Sequence, residues 1–81
     1  MNKEIVKELD KILPVVVRVH GDHHPELLEV AALYEELKAS ANAEIIRKLR
    51  SVTNDFTAPA DACPTFEKTY RHLSSLAQEL L

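Results

Sequence analysis

Apolar residues return along most of this chain at the three- and four-residue spacings of an α-helix, and the breaks in that rhythm mark the elements. From residue 2 onward Ile5, Leu9, Ile12, Val16 and Val19 form one stripe, while Lys3, Lys7 and Lys11 mark the wet side. Pro14 interrupts this pattern, because it lacks a backbone donor and its ring crowds the carbonyl four residues back. The run Val15-Val16-Val17 has strand propensity. No other stretch reads as β, so a strand there would have no partner. The pattern therefore predicts a helix kinked at Pro14 and ending near His20, with Gly21 as its stop. Pro25 suits the first position of the next helix, and Glu26 and Glu29 suit its positive end.

Leu27, Val30, Tyr34, Leu37 and Ala41 line the face that follows, and Ile45, Leu49, Val52 and Phe56 continue it. Neither Gly nor Pro occurs between Glu26 and Thr53. Local rules thus allow one helix of roughly 28 residues, about 42 Å long. They equally allow a hinge at Lys38–Asn42, where Ser40 or Asn42 would cap a new helix. Asn54 to Pro64 carries the breakers of a loop. A last helix over Pro64–Leu81 presents Phe66, Tyr70, Leu73, Leu76, Ala77 and Leu80. The expected fold is all-α: a single domain over residues 1–81, built as a small up-and-down helical bundle. It has three long helical segments, the middle one open to a split.

Size sharpens this picture. The chain has 81 residues, near the lower limit for a self-sufficient core, and no Trp with two Phe and two Tyr. Such a core is aliphatic and has little stability to spare, so a homo-oligomer is the expectation. A net charge of −3 offers no basic surface, and Arg47, Lys48 and Arg50 read as one solvated helix face, so nucleic acid is not an expected partner. The longest apolar run, Ile12–Val17, is too short to span a bilayer, which argues against a membrane protein. One cysteine permits no internal disulfide and fits a reducing cytoplasm, and the N-terminus does not read as a signal peptide.

The candidate chemistry lies between the first two helices. His20, His23 and His24 form an H-x-x-H-H group beside Asp22 and Glu26. Imidazole and carboxylate together suit iron, zinc or nickel. The following helix N-terminus disfavours imidazolium and would help keep His23 and His24 neutral. Adjacent turn residues, however, rarely aim two rings at one ion. Cys63 and His72 lie nine residues apart, on opposite sides of the last helix, so they make no nucleophile–base pair within it. Cys63 reads as a helix-start residue without chemistry and His72 as a surface histidine. Glu35 and Glu36 read as solvated, Glu44 as a capping residue. No phosphate loop, nucleophile elbow or paired-carboxylate arrangement is present.

Two segments carry a family resemblance. VRVHGDHHPELLEV (17–30) and EIIRKLRSVTNDFTAPADACPTFEKTYRHLSSL (44–76) resemble, in order, segments of the hemerythrin-like di-iron proteins that repair iron–sulfur clusters, also called regulators of cell morphogenesis and NO signalling. The resemblance implies antiparallel helices of a four-helix bundle, a break between the two middle segments, and an iron ligand at His20. It does not carry His23 or His24 over as ligands. The family's second-helix His-x-x-x-Glu pair and Leu-Phe-Pro ending have no counterpart, since Leu37-Lys38 passes straight into Ala39-Ser40. Ala39 falls where the third-helix ligand motif would lie. The family's first-helix ligand would fall just before Met1, and its closing His-x-x-x-Glu-Asn motif about two residues past Leu81.

Of the family's ligands, then, His20 alone is retained. A di-iron site needs nitrogens and carboxylates projected from facing helices, which one histidine does not supply. Two functional expectations follow. One is a hemerythrin-like module related to iron–sulfur cluster repair and to nitrosative and oxidative stress responses. It would bind iron or zinc weakly, through His20 with His23, and would not be an independent enzyme. The other is a metal-free helical interaction or dimerisation module, pairing with itself or with a full-length relative.

Overall fold

In a computed structural model that describes residues 1–80, four α-helices follow one another: α1 (Lys3–His20), α2 (Glu26–Ala39), α3 (Ala43–Val52) and α4 (Pro64–Leu80). No strand occurs among the described residues. α1 packs against both α2 and α4, and α2 also packs against α3. The fold is an all-α helical bundle, as the periodicity requires. The end of the expected last helix, Leu81, lies outside the described residues.

α1 starts where Asn2 turns its side-chain oxygen onto the Glu4 and Ile5 amides, at 2.9 and 3.2 Å. It then continues unbroken through Pro14 to His20. Pro14 is exposed, so its ring and missing donor lie away from the buried face. That face differs slightly from the expected stripe. Leu9, Leu13 and Val16 are buried, while Val19 is 61% exposed. At 100° per residue Val16 lies about 20° from Leu9 around the helix, whereas Val19 lies about 80° away. His20 returns to about 20°, on the core side.

Gly21 ends α1 by close approach and not by a left-handed turn. Its φ and ψ are −58° and −30°, and its N–H donates to the Val17 carbonyl at 2.8 Å. A β-carbon at this position would collide with that same oxygen.

The middle segment does split. Asn42, in extended backbone, caps α3 by accepting from the Ile45 amide at 3.0 Å. Glu44 stands in the first turn of α3 and pairs across one turn with Lys48 at 3.8 Å. α1 and α2 are joined by a polar clasp: Tyr34 donates to Asp10 at 2.9 Å, and Lys38 reaches the same carboxylate oxygen at 2.7 Å. Hydrogen bonding from Lys38, then from Tyr34, holds the Asp10 carboxyl below its usual range.

The segment after α3 contains a feature that breaker residues alone did not foretell. Asn54, Asp55 and Phe56 all have positive φ, between 51° and 59°. Asn and Asp tolerate this region, but for Phe56 it is strained. Thr53 holds the turn: its buried hydroxyl donates to Leu49 O at 2.7 Å and accepts from the Phe56 amide at 2.8 Å. Arg50 pairs with Asp55 at 2.6 Å and lies over the Phe56 ring.

Sixteen apolar residues make the core, drawn from all four helices. The Cα radius of gyration, 11.4 Å, is close to the ~11.7 Å expected of a compact domain of this length. No described helix is long and apolar enough to cross a membrane. Gly21→Ala should destabilise the fold by about 1–3 kcal/mol, the range for an atom forced into filled space. Urea denaturation of the two proteins measures this, and equal midpoints would show that the turn relaxes freely.

Candidate functional site

The polar side chains of interest gather at one end of the bundle, around Phe66. Phe66 sits in the first turn of α4 and is fully buried. The rings of His20, His24 and Tyr70 meet it edge-on, with centroids 5.1, 5.5 and 5.1 Å away. Such edge contacts direct the positive rim of one ring at the negative face of another. Burial pushes the Tyr70 hydroxyl up to about 12.

His20 occupies the last position of α1, half-buried, where the core face of that helix runs out. Its Nε2 lies 3.2 Å from the Sγ of Cys63, which is 43 residues away in sequence. Cys63 immediately precedes α4, and its Sγ also accepts from the Phe66 amide at 3.4 Å. The thiol is free and half-buried. Depending on the His20 tautomer, the S–H donates to Nε2 or the Nε2–H donates to the sulfur. Cys63 is therefore more than a helix-start residue. Among the described residues, it is the side chain hydrogen-bonded to His20 Nε2.

His24 takes a different set of partners. Its Nδ1 lies 3.1 Å from Glu26, and its Nε2 lies 2.9 and 3.0 Å from the two oxygens of Asp61. Both ring nitrogens thus face carboxylates, an arrangement that makes both of them donors and favours imidazolium. The hydrogen bond to Asp61 dominates and raises the His24 pKa above its ordinary value, with burial acting in the opposite sense. This reverses the expectation that the α2 N-terminus keeps His24 neutral. Two carboxylates at contact distance outweigh the partial charge of a helix end. The same bridge holds the Asp61 carboxyl below its usual value.

His23, paired with His20 in the sequence reading, is exposed in the turn, and only its backbone amide is engaged, with the His20 carbonyl at 3.1 Å. The structure does not bring the His20 and His23 side chains together. Among the described residues no three His, Cys, Asp or Glu side chains come together as a metal-holding group. His72, read as a surface residue, is half-buried, and its Nε2 is enclosed without a hydrogen-bond partner among the described residues. It lies in a shallow hollow with Glu4, Ile5, Glu8 and Lys68, where Lys68 bridges to Glu8. Of the three basic residues on α3, Arg47 and Lys48 are exposed while Arg50 is tied to Asp55.

The sequence held one signal for the cluster. The 9-13-16-20 spacing places His20 on the core side of α1, so its ring must meet whatever packs there. Nothing local announced that Cys63 would be that group, or that Asp61 would reach His24. No family model matches the sequence, and no solved structure matches the chain.

The His24–Asp61 bridge should give the fold a bounded pH dependence. The raised pKa of His24 contributes stability that is complete below its ordinary 6.5 and is lost as pH rises through the folded value. The lowered pKa of Asp61 contributes stability that is complete above its ordinary 3.8 and is lost as pH falls through the folded value. Relative to His24→Gln, the native chain should have its largest advantage between about pH 4 and 6.5 and a shrinking one on either side. Denaturation midpoints of both proteins from pH 3 to 9 check this. A constant difference would show that the bridge does not persist in solution.

Proposed function

We propose that this chain is a hemerythrin-like helical module, related to the proteins of iron–sulfur cluster repair and of the nitrosative and oxidative stress response. It carries an incomplete di-iron site and has little activity of its own. The observation that supports this reading is the setting of His20. This histidine stands in the RVHGDHHPEL segment that resembles the family's ligand motif, and its Nε2 turns from the end of α1 towards the packed start of α4. A donor so placed, half-buried and held by a neighbouring ring, is oriented before any ion arrives. The carboxylates and further histidines that two irons need are not gathered around it.

Metal content per chain tests the proposal, on protein made in iron-supplemented cells and purified without oxygen. The expected result is weak, less than stoichiometric iron or zinc that falls away in His20→Ala. Two irons per chain or per dimer would overturn the incomplete-site reading. Metal content unchanged by His20→Ala would remove His20 from it.

A second reading, a metal-free interaction or dimerisation module, draws on a different surface. Val15, Val19 and Leu28 are 39%, 61% and 64% exposed. An open cleft of about 310 Å³ lies along α1 and α2, floored by Leu9, Leu13, Val17 and Ala31. On an 81-residue chain these apolar groups favour self-association or pairing with a longer relative. Sedimentation at high protein concentration should reveal a dimer in metal-free buffer, and a strict monomer there would sink this reading.

A further inference from the structure

We infer that His20 Nε2 and Cys63 Sγ together form a two-point nitrogen–sulfur chelate for a tetrahedral transition-metal ion of zinc's class. The inference deepens the preceding reading by naming a second ligand beside His20, and it rests on that reading for the metal.

The geometry carries it. Zinc binds imidazole nitrogen at about 2.0–2.1 Å and thiolate at about 2.3 Å, so two such ligands on one tetrahedral ion stand roughly 3.6 Å apart. Nε2 and Sγ stand 3.2 Å apart in the structure. An opening of about 0.4 Å, within the reach of small side-chain rotations, would therefore admit the ion. A linear two-coordinate ion would need about 4.4 Å by the same bond lengths, a much larger displacement.

The donors come from opposite ends of the sequence, and each is fixed by its own element. His20 is the last residue of an 18-residue helix, and its ring meets Phe66 edge-on. Cys63 is held by the first turn of a 17-residue helix, whose Phe66 amide already donates to its sulfur. A metal takes the sulfur as thiolate, and the same Phe66 amide remains a donor to it. Thiolate with imidazole selects zinc, cobalt, nickel and their neighbours over magnesium or calcium, which take oxygen donors.

Binding releases the one proton shared by the pair. The sulfur bonds to the metal as thiolate, Nε2 bonds through its lone pair, and the proton leaves to solvent. With two protein ligands, the other positions on the ion belong to water. Asp61 lies two residues before Cys63, but its carboxylate is engaged by His24. Affinity should accordingly be modest and the ion exchangeable.

Cobalt(II) is the probe, because it reports thiolate ligation and tetrahedral geometry in separate absorption bands. The full chain, reduced and free of oxygen, is titrated with cobalt chloride. The expected spectrum has a thiolate-to-cobalt charge-transfer band in the near ultraviolet and the strong visible bands of a tetrahedral ion. Cys63→Ser should abolish the charge-transfer band. His20→Ala should weaken cobalt binding by more than about tenfold, since even outer-shell partners of a metal carry that much. His23→Ala should change neither.

A wild-type titration without a charge-transfer band overturns the inference, and that spectrum decides even where a variant does not fold. A band of unchanged midpoint in His20→Ala overturns it too. Failure of the two readings can be told apart. Iron that loads through His20 and survives Cys63→Ser leaves the preceding proposal standing and removes the chelate. A cobalt spectrum of nitrogen and sulfur ligation on a chain that takes up no iron does the reverse.

Discussion

The packing of α4 against α1 brings the last helix onto the first, and the polar end of the molecule depends on it. Leu9, Leu13 and Val16 need a partner surface, and Phe66, Tyr70, Leu73 and Leu76 provide one. Each such side chain contributes about 1.5–3 kcal/mol when fully removed from water. The contact must outweigh the entropy of closing some forty intervening residues, a cost that grows only slowly with loop length. Once α4 is docked, Phe66 is fixed at the end of α1. The residues just before α4 then have no choice but to meet His20 and His24.

This order of events explains what could be read from the sequence. Helical periodicity follows from local geometry, so the helices and most of the core were legible, whereas the break that Asn42 caps was left open, because the apolar spacing runs on across it. The position of Val19 was less so, because a five-residue stripe with one misplaced member looks much like the right one until the angles are compared. Gly21 was legible as a stop but not for its reason, which is the approach of the Val17 carbonyl. The left-handed run from Asn54 to Phe56 rests on the Thr53 hydroxyl and on Arg50, groups that carry no turn signal of their own. Contacts across 43 and 37 residues, His20 with Cys63 and His24 with Asp61, are products of docking and leave no local trace.

The two histidines that share the Phe66 ring are therefore in opposite chemical situations. Both ring nitrogens of His24 face carboxylates, which raises its pKa above the ordinary value and occupies both nitrogens in hydrogen bonds. His20 Nε2 meets the Cys63 sulfur and, among the described residues, makes no hydrogen bond to a carboxylate, which leaves it a route to ligation. The sequence reading placed His20 and His23 together because they are close along the chain. Through-space geometry divides the H-x-x-H-H group differently, into one ring bridging two carboxylates, one ring against a thiol and one exposed ring.

The interior sets a limit on the chemistry such a bundle performs. A di-iron bundle places its carboxylates and imidazoles in mid-helix, facing one another across the core. Here the buried positions on α1, α2 and α4 include Leu9, Leu13, Val30, Tyr34, Leu37, Leu73 and Leu76. The buried polar side chains among the described residues are Thr53 and Thr69, and each hydroxyl donates to a carbonyl four residues earlier in the chain. Placing an unpaired carboxylate among these aliphatic groups would cost more than the fold of so small a chain sustains. The polar side chains gather instead at the end of the bundle, where helix termini, a thiol and half-buried rings are desolvated in part without opening the core.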